Sequence, residues 1–468
     1  MKRKKVIIIG AGPAGLATAY ELINLDKEKQ FEISIFEMEN TVGGLAKTLQ
    51  HNGYRFDLGG HRFYTEFPEI NQFYKTFLGI DMLKRERLSR IYYQKKFYNY
   101  PLSAPNALKN LGLTNTVKIV YSWFTRQYNR FPDEKTFDHW VSNRFGDTLF
   151  KIFFKSYTEK VWGIKTSKLS SEWAAQRIQN FNLSKAILEA VFRIKSGAKT
   201  TITSFYYPKL GPGMLYKKLQ SQLEKNGVTI TFHSEIIGFK RSKKNITHVV
   251  VLQGNKKRII KPDIVISTLP FNRLAFLLDP DPKLKQQIKN LKFRNFITVN
   301  LIIKSNPFPD QWIYIHEPDV RVGRIQNFRN WSPYMVKKGE NNTPVGMEYF
   351  CDEDDLLWQS SDQKLLEQAK REIVTIGLVR QDDIIDGFVY RVRNAYPIYN
   401  FDYKTPFKKV KEFISQFDNL YVCGRGGLFR YDNQDHAILT GFYVARNIHM
   451  GKKLHDVWSV NKDSNDLG

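Results

Sequence analysis

The sequence predicts an α/β protein, with a Rossmann-type nucleotide-binding domain, a helical insertion and a second, mainly antiparallel sheet. Three observations carry this prediction. A continuous β-branched run, Val6–Ile9, leads straight into Gly10-Ala11-Gly12-Pro13-Ala14-Gly15, the pattern of a strand buried on both faces entering a tight turn. From about residue 66 the pattern becomes aromatic and basic with helical spacing. Beyond residue 290 strand-like runs return around one strongly periodic helix. The boundaries expected are 1–65, 200–270 and 410–468 for a discontinuous nucleotide-binding domain, 66–199 for the helical insertion and 271–409 for an antiparallel-sheet substrate domain.

The elements follow in order. Ala14 to about Asn24 reads as the helix after the glycine turn, and Glu32–Glu37 as a second strand ending in an acid, completing a β-α-β unit. Thr136–Phe154 and Ser184–Lys195 are the clearest helices of the insertion. Val228–Phe232, Ile246–Leu252 and Asp263–Thr268 read as strands where the chain rejoins the first sheet. Phe296–Ile303 is a strand and Gln363–Ile376 a helix of the second sheet domain. Leu420–Gly424 is a strand entering a glycine turn, followed after a loop by a helix from about Ala437 to His449.

Composition narrows the function classes. In 468 residues, 42% are hydrophobic and 14% aromatic, enough for a sizeable core and against wholesale disorder. No window approaches the roughly 18 apolar residues of a spanning helix. The basic start, MKRKK before VIIIGAGPAGLATAY, imitates a signal peptide, but its glycines mark a strand, turn and helix. Cys351 and Cys423 sit in no CxxC or Cys/His cluster, so neither a disulfide framework nor a zinc site is expected. A cytoplasmic location is expected, with peripheral contact at the inner membrane surface as an addition.

Lys and Arg number 72 against 46 Asp and Glu, a net charge of +26. Such a field draws anions, whether nucleotides, diphosphates or an acidic membrane face, although a lysine-rich proteome would produce the same total. The charges are scattered and lack an aromatic-interleaved basic motif, so nucleic acid is not expected as a partner.

The glycine turn has a defined chemistry. Gly10 permits the bend, Gly12 lets backbone approach a pyrophosphate, and Gly15 allows close packing of helix on strand, with Pro13 and Ala14 opening the helix. The helix N-terminus then presents N–H groups to phosphate. Glu37, at the end of the second strand, is placed to accept from adenosine ribose hydroxyls and would repel a 2′-phosphate.

Gly43, Gly44 and Leu45 form a glycine doublet directly after that strand. This addition resembles flavoproteins of the glutathione reductase type, in which the doublet approaches FAD, and it moves the expected cofactor from NAD to FAD. Gly59, Gly60 and His61 supply a further turn for the flavin. Cys423-Gly424-Arg425-Gly426-Gly427 looks like the second FAD motif of that group, with Arg425 suited to a phosphate or the ribityl chain.

Further segments sharpen the resemblance. Ser156-Tyr157-Thr158-Glu159-Lys160-Val161-Trp162-Gly163 is similar to the YTEKxWG segment of bacterial UDP-galactopyranose mutases. The run from Arg324 to Ser332-Pro333-Tyr334 resembles a eukaryotic mutase segment, and Arg430-Tyr431-Asp432-Asn433-Gln434-Asp435-His436 resembles the C-terminal RY…NQDH motif. The resemblance spans residues 5–450. It implies an FAD-dependent interconversion of pyranose and furanose forms of a nucleotide-linked sugar, through nucleophilic N5 of reduced flavin, in cell-surface polysaccharide biosynthesis. NAD(P)H is the candidate external reductant. By the same resemblance Arg324, Arg177, Tyr396 and Tyr431 hold the diphosphate, Trp162 and Tyr334 contact substrate, and His61 stands beside the flavin, where it hydrogen-bonds or relays a proton near neutral pH. Asn433, Gln434 and Asp435 line the ribityl chain or ring edge. His436 serves there too or braces the following helix.

Two positions depart from the mutase pattern: Arg62 stands where an apolar residue is usual, and Ala437 replaces a serine. Position 62 lies on the expected substrate side, which puts the identity of the sugar or its leaving group in doubt. The scaffold is shared with protoporphyrinogen oxidases, amine oxidases and phytoene desaturases, so an FAD-dependent oxidoreductase is the alternative. A flavin-binding assembly partner without catalysis is a third reading.

Overall fold

The computed structural model describes residues 2–102, 104–172 and 203–461. The chain begins with β1 (Lys4–Ile9), α1 (Pro13–Leu25) and β2 (Phe31–Phe36), then a hairpin, β3 (Thr48–His51) and β4 (Tyr54–Asp57). Next come α2 (Pro68–Leu78), the strands β5 (Met82–Glu86), β6 (Ser89–Tyr93) and β7 (Lys96–Asn99), and the helices α3 (Ala104–Tyr128), α4 (Phe137–Leu149) and α5 (Ser156–Trp162). Further on lie β8 (Ser204–Pro208), β9 (Thr229–Thr231), β10 (Ser234–Arg241), β11 (Ile246–Gln253), β12 (Lys256–Ile260) and β13 (Ile264–Ser267). The remaining strands are β14 (Phe293–Ile303), β15 (Trp312–Ile315), β16 (Arg324–Asn327), β17 (Thr343–Cys351), β18 (Ile384–Pro397) and β19 (Leu420–Val422), and the helix Gln434–Met450 follows.

A five-stranded parallel sheet in the order β19-β13-β1-β2-β9 forms one layer. Val6–Ile9 are buried because helices cover both faces of a parallel sheet, which explains the unbroken apolar run. The helix Gln434–Met450 lies so close to α1 that a Cβ on Gly441 would come within 2.6 Å of the Ala14 carbonyl oxygen. Glycine at 441 therefore sets the spacing of the two helices.

The second sheet has seven strands, β18-β14-β17-β16-β15-β6-β7, antiparallel except between β15 and β6. Its alternation assigns each face. Ile297, Val299 and Leu301 of β14 and Met347 of β17 pack on Leu365, Ala369 and Ile373 of the helix Asp362–Thr375. The intervening residues, among them Phe296, Phe350 and Tyr396, face the opposite way and join Phe137, Val141 and Trp162 of the helical layer. Arg324, Gln326 and Glu348 share this second face, by the same period of two.

The structure corrects two expectations. The stretch 82–99, expected to be helical, is β5–β7, and β6 and β7 extend the second sheet; Ile91, Tyr92 and Tyr98 are buried there, and in strands this short alternation is too brief to stand out from the aromatic background. Ile246–Gln253 belongs to a separate antiparallel sheet, β10-β11-β12, rather than to the first sheet. The helix expected over Thr136–Phe154 is α4 followed by a π-helical turn, Phe150–Lys155, with a break at Gly146, φ 77°. Ser184–Lys195 and Arg177 lie outside the described residues.

Candidate active site

A cavity of about 910 Å³ runs from the C-terminal edge of the parallel sheet to the second sheet. Open parallel sheets place ligands at that edge. The turns after β1, β2, β13 and β19 contribute Gly12, Glu37, Thr268 and Gly424 to the wall, and the second sheet contributes Arg324, Gln326 and Tyr396. The site is thus built from segments far apart in sequence.

The glycine turn is shaped for a long anionic group. Gly10 adopts φ 98°, and a Cβ there would come within 2.2 Å of Thr268 Oγ1; one on Gly15 would fall 2.0 Å from the Gly10 carbonyl oxygen. Around Gly12 the nearest such atom, Gly44 Cα, is 3.8 Å away. Gly10 and Gly15 are therefore dictated by the protein itself, whereas Gly12 keeps open space beside the N-terminus of α1. Gly43, φ 106°, donates its N–H to the Ala11 carbonyl at 2.9 Å and presents Gly44 and Leu45 to the cavity. Glu37 Oε2 accepts from Ala11 N–H at 2.7 Å and Oε1 from Glu39 N–H at 2.9 Å, which fixes the carboxylate at the end of β2. Burial raises its pKa, opposed by the hydrogen bond from Ala11 N–H, by Lys47 and by the Met38 backbone. Lys47, which the sequence analysis passed over, lines the cavity, bonds Glu39 and Tyr390, and is lowered to about 8 by burial.

At the other end aromatic and cationic side chains converge. Tyr396 and Tyr431 stack with centroids 5.5 Å apart and 17° between planes. The Arg425 guanidinium lies over both rings, at 4.8 and 4.4 Å, and its buried Nε has no partner in the protein. Arg324 donates from Nε and Nη2 to Glu348 Oε2 at 3.0 and 2.6 Å, and from Nη2 to Tyr396 Oη at 2.8 Å. Arg324 and Glu348 are register partners across β16 and β17, so opposite charges face each other directly. Gln326 Nε2 donates to Glu348 Oε1 at 2.9 Å while its own buried Oε1 has no partner. Glu348 and Gln326 were missed from the sequence; strand alternation around Arg324 was the only signal.

His61 lines the cavity with Nδ1 unpartnered. Burial first, then Arg425 and Arg324, lower its pKa to about 4 against a hydrogen bond with the Gly59 backbone. Of the two expected roles, a hydrogen bond or a proton relay, burial beside two arginines favours the neutral imidazole as a hydrogen-bonding group. Gly59, at φ 97°, and Gly60 bring this loop against Glu348 and Trp331. Asn433 occupies the position before the helix Gln434–Met450, makes no side-chain capping bond to it, and lines the cavity. Gln434 accepts from Tyr216 Oη at 2.8 Å and donates to the Arg62 carbonyl at 3.4 Å. His436 is buried inside that helix, edge-on to Phe67.

Two expected substrate contacts are elsewhere. Trp162 is fully buried behind the tyrosines, 6.2 Å from each ring centroid, and supports them from outside the cavity wall. Tyr334 is 46% exposed under Lys209, because the turn Pro333–Met335 turns Met335 inward in its place.

The profile of the flavin containing amine oxidoreductases matches residues 13–449. The chain belongs to that family, and the family's cofactor is FAD; the open space at Gly12 and the unpartnered polar atoms of His61 and Gln326 fit such a group. The chain is 24% identical over 317 residues to a 1-hydroxycarotenoid 3,4-desaturase of Flavobacterium sp. (strain P99-3), covering 61% of each chain. It is 29% identical over 178 residues to protoporphyrinogen oxidase 2 of Arabidopsis thaliana, covering 38% of this chain and 28% of the oxidase. Among solved structures, reduced UDP-galactopyranose mutase superposes with TM-score 0.84 at 20% identity, over 99% of this chain and 97% of the mutase. A putrescine oxidase variant gives 0.64 at 12% identity, over 96% and 99%. At these identities the superpositions show a shared fold.

Proposed function

We propose that the protein is a flavin-dependent mutase that interconverts the pyranose and furanose forms of a nucleotide-linked sugar. The observation that carries this reading is the cluster of Arg425, Arg324, Tyr396 and Tyr431 at one end of the cavity. A carotenoid, amine or porphyrin ring would offer the buried Nε of Arg425 no acceptor, at a cost of about 1–3 kcal/mol. A diphosphate supplies one.

When bound, reduced FAD supplies the nucleophile, N5, and NAD(P)H is the proposed source of its electrons. The residues of this chain bind and orient. Arg425, whose charge meets no carboxylate in an ion pair among the described residues, supplies the cation for the diphosphate. Arg324 spends its charge on Glu348 and holds the Tyr396 hydroxyl in place, leaving Nη1 as its remaining donor. The phenol groups of Tyr396 and Tyr431 donate to phosphate oxygens. Neutral His61 offers a hydrogen bond near the reacting atoms without adding charge.

Titration of the oxidised holoprotein with UDP in a calorimeter tests this assignment. Arg425→Ala is expected to weaken UDP by roughly 10- to 100-fold, the equivalent of a charged hydrogen bond, and Tyr396→Phe by less. Unchanged affinity in Arg425→Ala would remove the diphosphate from this site. The named relatives support a second reading, an FAD-dependent desaturase or oxidase, which predicts electron transfer from an apolar substrate to oxygen or a quinone and no UDP binding.

A further inference from the structure

α3 breaks at Gly112, where φ is 78° and ψ 168°. The segment beyond it, Leu113–Tyr128, buries Ile119 against the helical layer but leaves Leu113, Val117, Tyr121, Phe124 and Tyr128 outside, 81, 59, 71, 52 and 87% exposed. At 3.6 residues per turn these five fall within an arc of about 80°. A contiguous apolar stripe of this kind marks a contact surface.

We propose that this face of α3 docks on the surface of an anionic lipid bilayer, with its aromatic side chains at headgroup depth and neighbouring lysines on the lipid phosphates. Charge selects the occupant. From Arg87 to Pro132 the sequence contains no Asp or Glu. Arg126 pairs with Asp147 of α4 and Arg130 with Glu134 four residues on, whereas Lys95, Lys96, Lys109 and Lys118 are exposed and form no ion pair among the described residues. Lys96 Nζ donates to the Asn110 carbonyl at 2.5 Å, holding the β6–β7 turn against the start of α3. Lys118 stands on the same segment as the stripe, and Lys96 and Lys109 stand at the part of α3 that precedes the Gly112 break. A second copy of the chain would bring the same cations to the contact and be repelled; anionic headgroups neutralise them. Tyr and Phe are side chains that settle at a membrane interface. Among the described residues no helix is long and apolar enough to cross a membrane, so the contact lies in the interface plane. The inference holds whichever reaction the cavity performs.

The test is co-sedimentation of the flavin-loaded full chain with vesicles of equimolar phosphatidylglycerol and phosphatidylcholine, beside vesicles of phosphatidylcholine alone. Binding is expected to the anionic vesicles and to fall with salt. Lys109→Glu and Lys118→Glu should each lower partitioning by about fivefold or more. The triple variant Tyr121→Ser, Phe124→Ser, Tyr128→Ser should lose binding while keeping its flavin absorbance. Ile80→Ser, at a residue 99% exposed on another part of the surface, should bind like the parent. Equal binding by the parent and the lysine variants, or no binding to anionic vesicles at low salt, overturns the proposal. So does a dimer in analytical ultracentrifugation that the triple variant dissociates without any vesicle binding by the parent. If the triple variant fails to fold, the lysine variants decide, since their substitutions are on exposed side chains.

Discussion

Arg324 enters the cavity already matched by Glu348, and this decides what its removal means. Replacing Glu348 with Ala leaves a buried guanidinium unpaired and should cost about 3–5 kcal/mol, read from the denaturant midpoint; a loss under about 1 kcal/mol would mean the ion pair is hydrated and dispensable. The sequence displayed Arg324 through its neighbours but hid Glu348, an isolated acid in the strand Gly346-Met347-Glu348-Tyr349 whose partner is visible only once β16 and β17 are in register. Asp57, two residues before Gly59, offers a second test. Burial raises it to about 7, although Tyr207 and Thr48 donate to it. A carboxyl whose folded pKa exceeds its unfolded value of about 3.9 binds a proton preferentially in the native state, so stability falls as pH rises between about 4 and 7. Asp57→Asn, which stays neutral, should therefore unfold at a higher temperature than the parent at pH above 7, and the difference should close at about pH 4. A difference independent of pH would show that Asp57 is ionised in both states. His61 should show no NMR titration step at any pH well above 4 in the flavin-free protein.

Among the elements, the β1-turn-α1 unit was the most legible, since its glycines answer to contacts within a short stretch of chain. Gly15 and Gly12 nevertheless obey different causes, and substitution separates them. Gly15→Ala drives a Cβ into the Gly10 carbonyl and should destabilise even the flavin-free protein by roughly 1–3 kcal/mol. Gly12→Ala meets no protein atom within van der Waals contact nearer than Gly44 Cα at 3.8 Å, so the flavin-free protein should shift by about 1 kcal/mol at most while flavin binding weakens roughly 10- to 100-fold. Thermal unfolding without flavin and flavin titration distinguish the two; equal losses in both assays for Gly12→Ala would contradict the assignment. The strands β5–β7 were illegible for a physical reason. Each is too short to establish a period of two, and β6 joins its sheet through β15, more than two hundred residues later in the chain. Tyr334 misled because a motif fixes residue order but not which side chain of a one-turn helix faces inward, and here Met335 does.

At the scale of the molecule, two sheets of opposite kind meet so that one supplies glycine turns and the other supplies polar side chains. The parallel sheet gives a place for a dinucleotide, and the face of the second sheet bearing Arg324, Gln326, Glu348 and Tyr396 closes the same cavity from the other side. The family and fold follow from the first half, and the proposed reaction from the second. Because the relatives with the same scaffold include desaturases and oxidases, electron accounting separates the alternatives most directly. The decisive measurement is anaerobic: the protein is reduced once with dithionite, excess reductant is removed, UDP-galactopyranose is added, and isomeric product is counted against flavin while the flavin absorbance is followed. The mutase account predicts furanose product far in excess of flavin, with the flavin still reduced at the end and no turnover in the oxidised protein. Failure to form any isomer from UDP-galactose or a panel of related nucleotide sugars, together with flavin reoxidation or turnover on an apolar substrate, would contradict it.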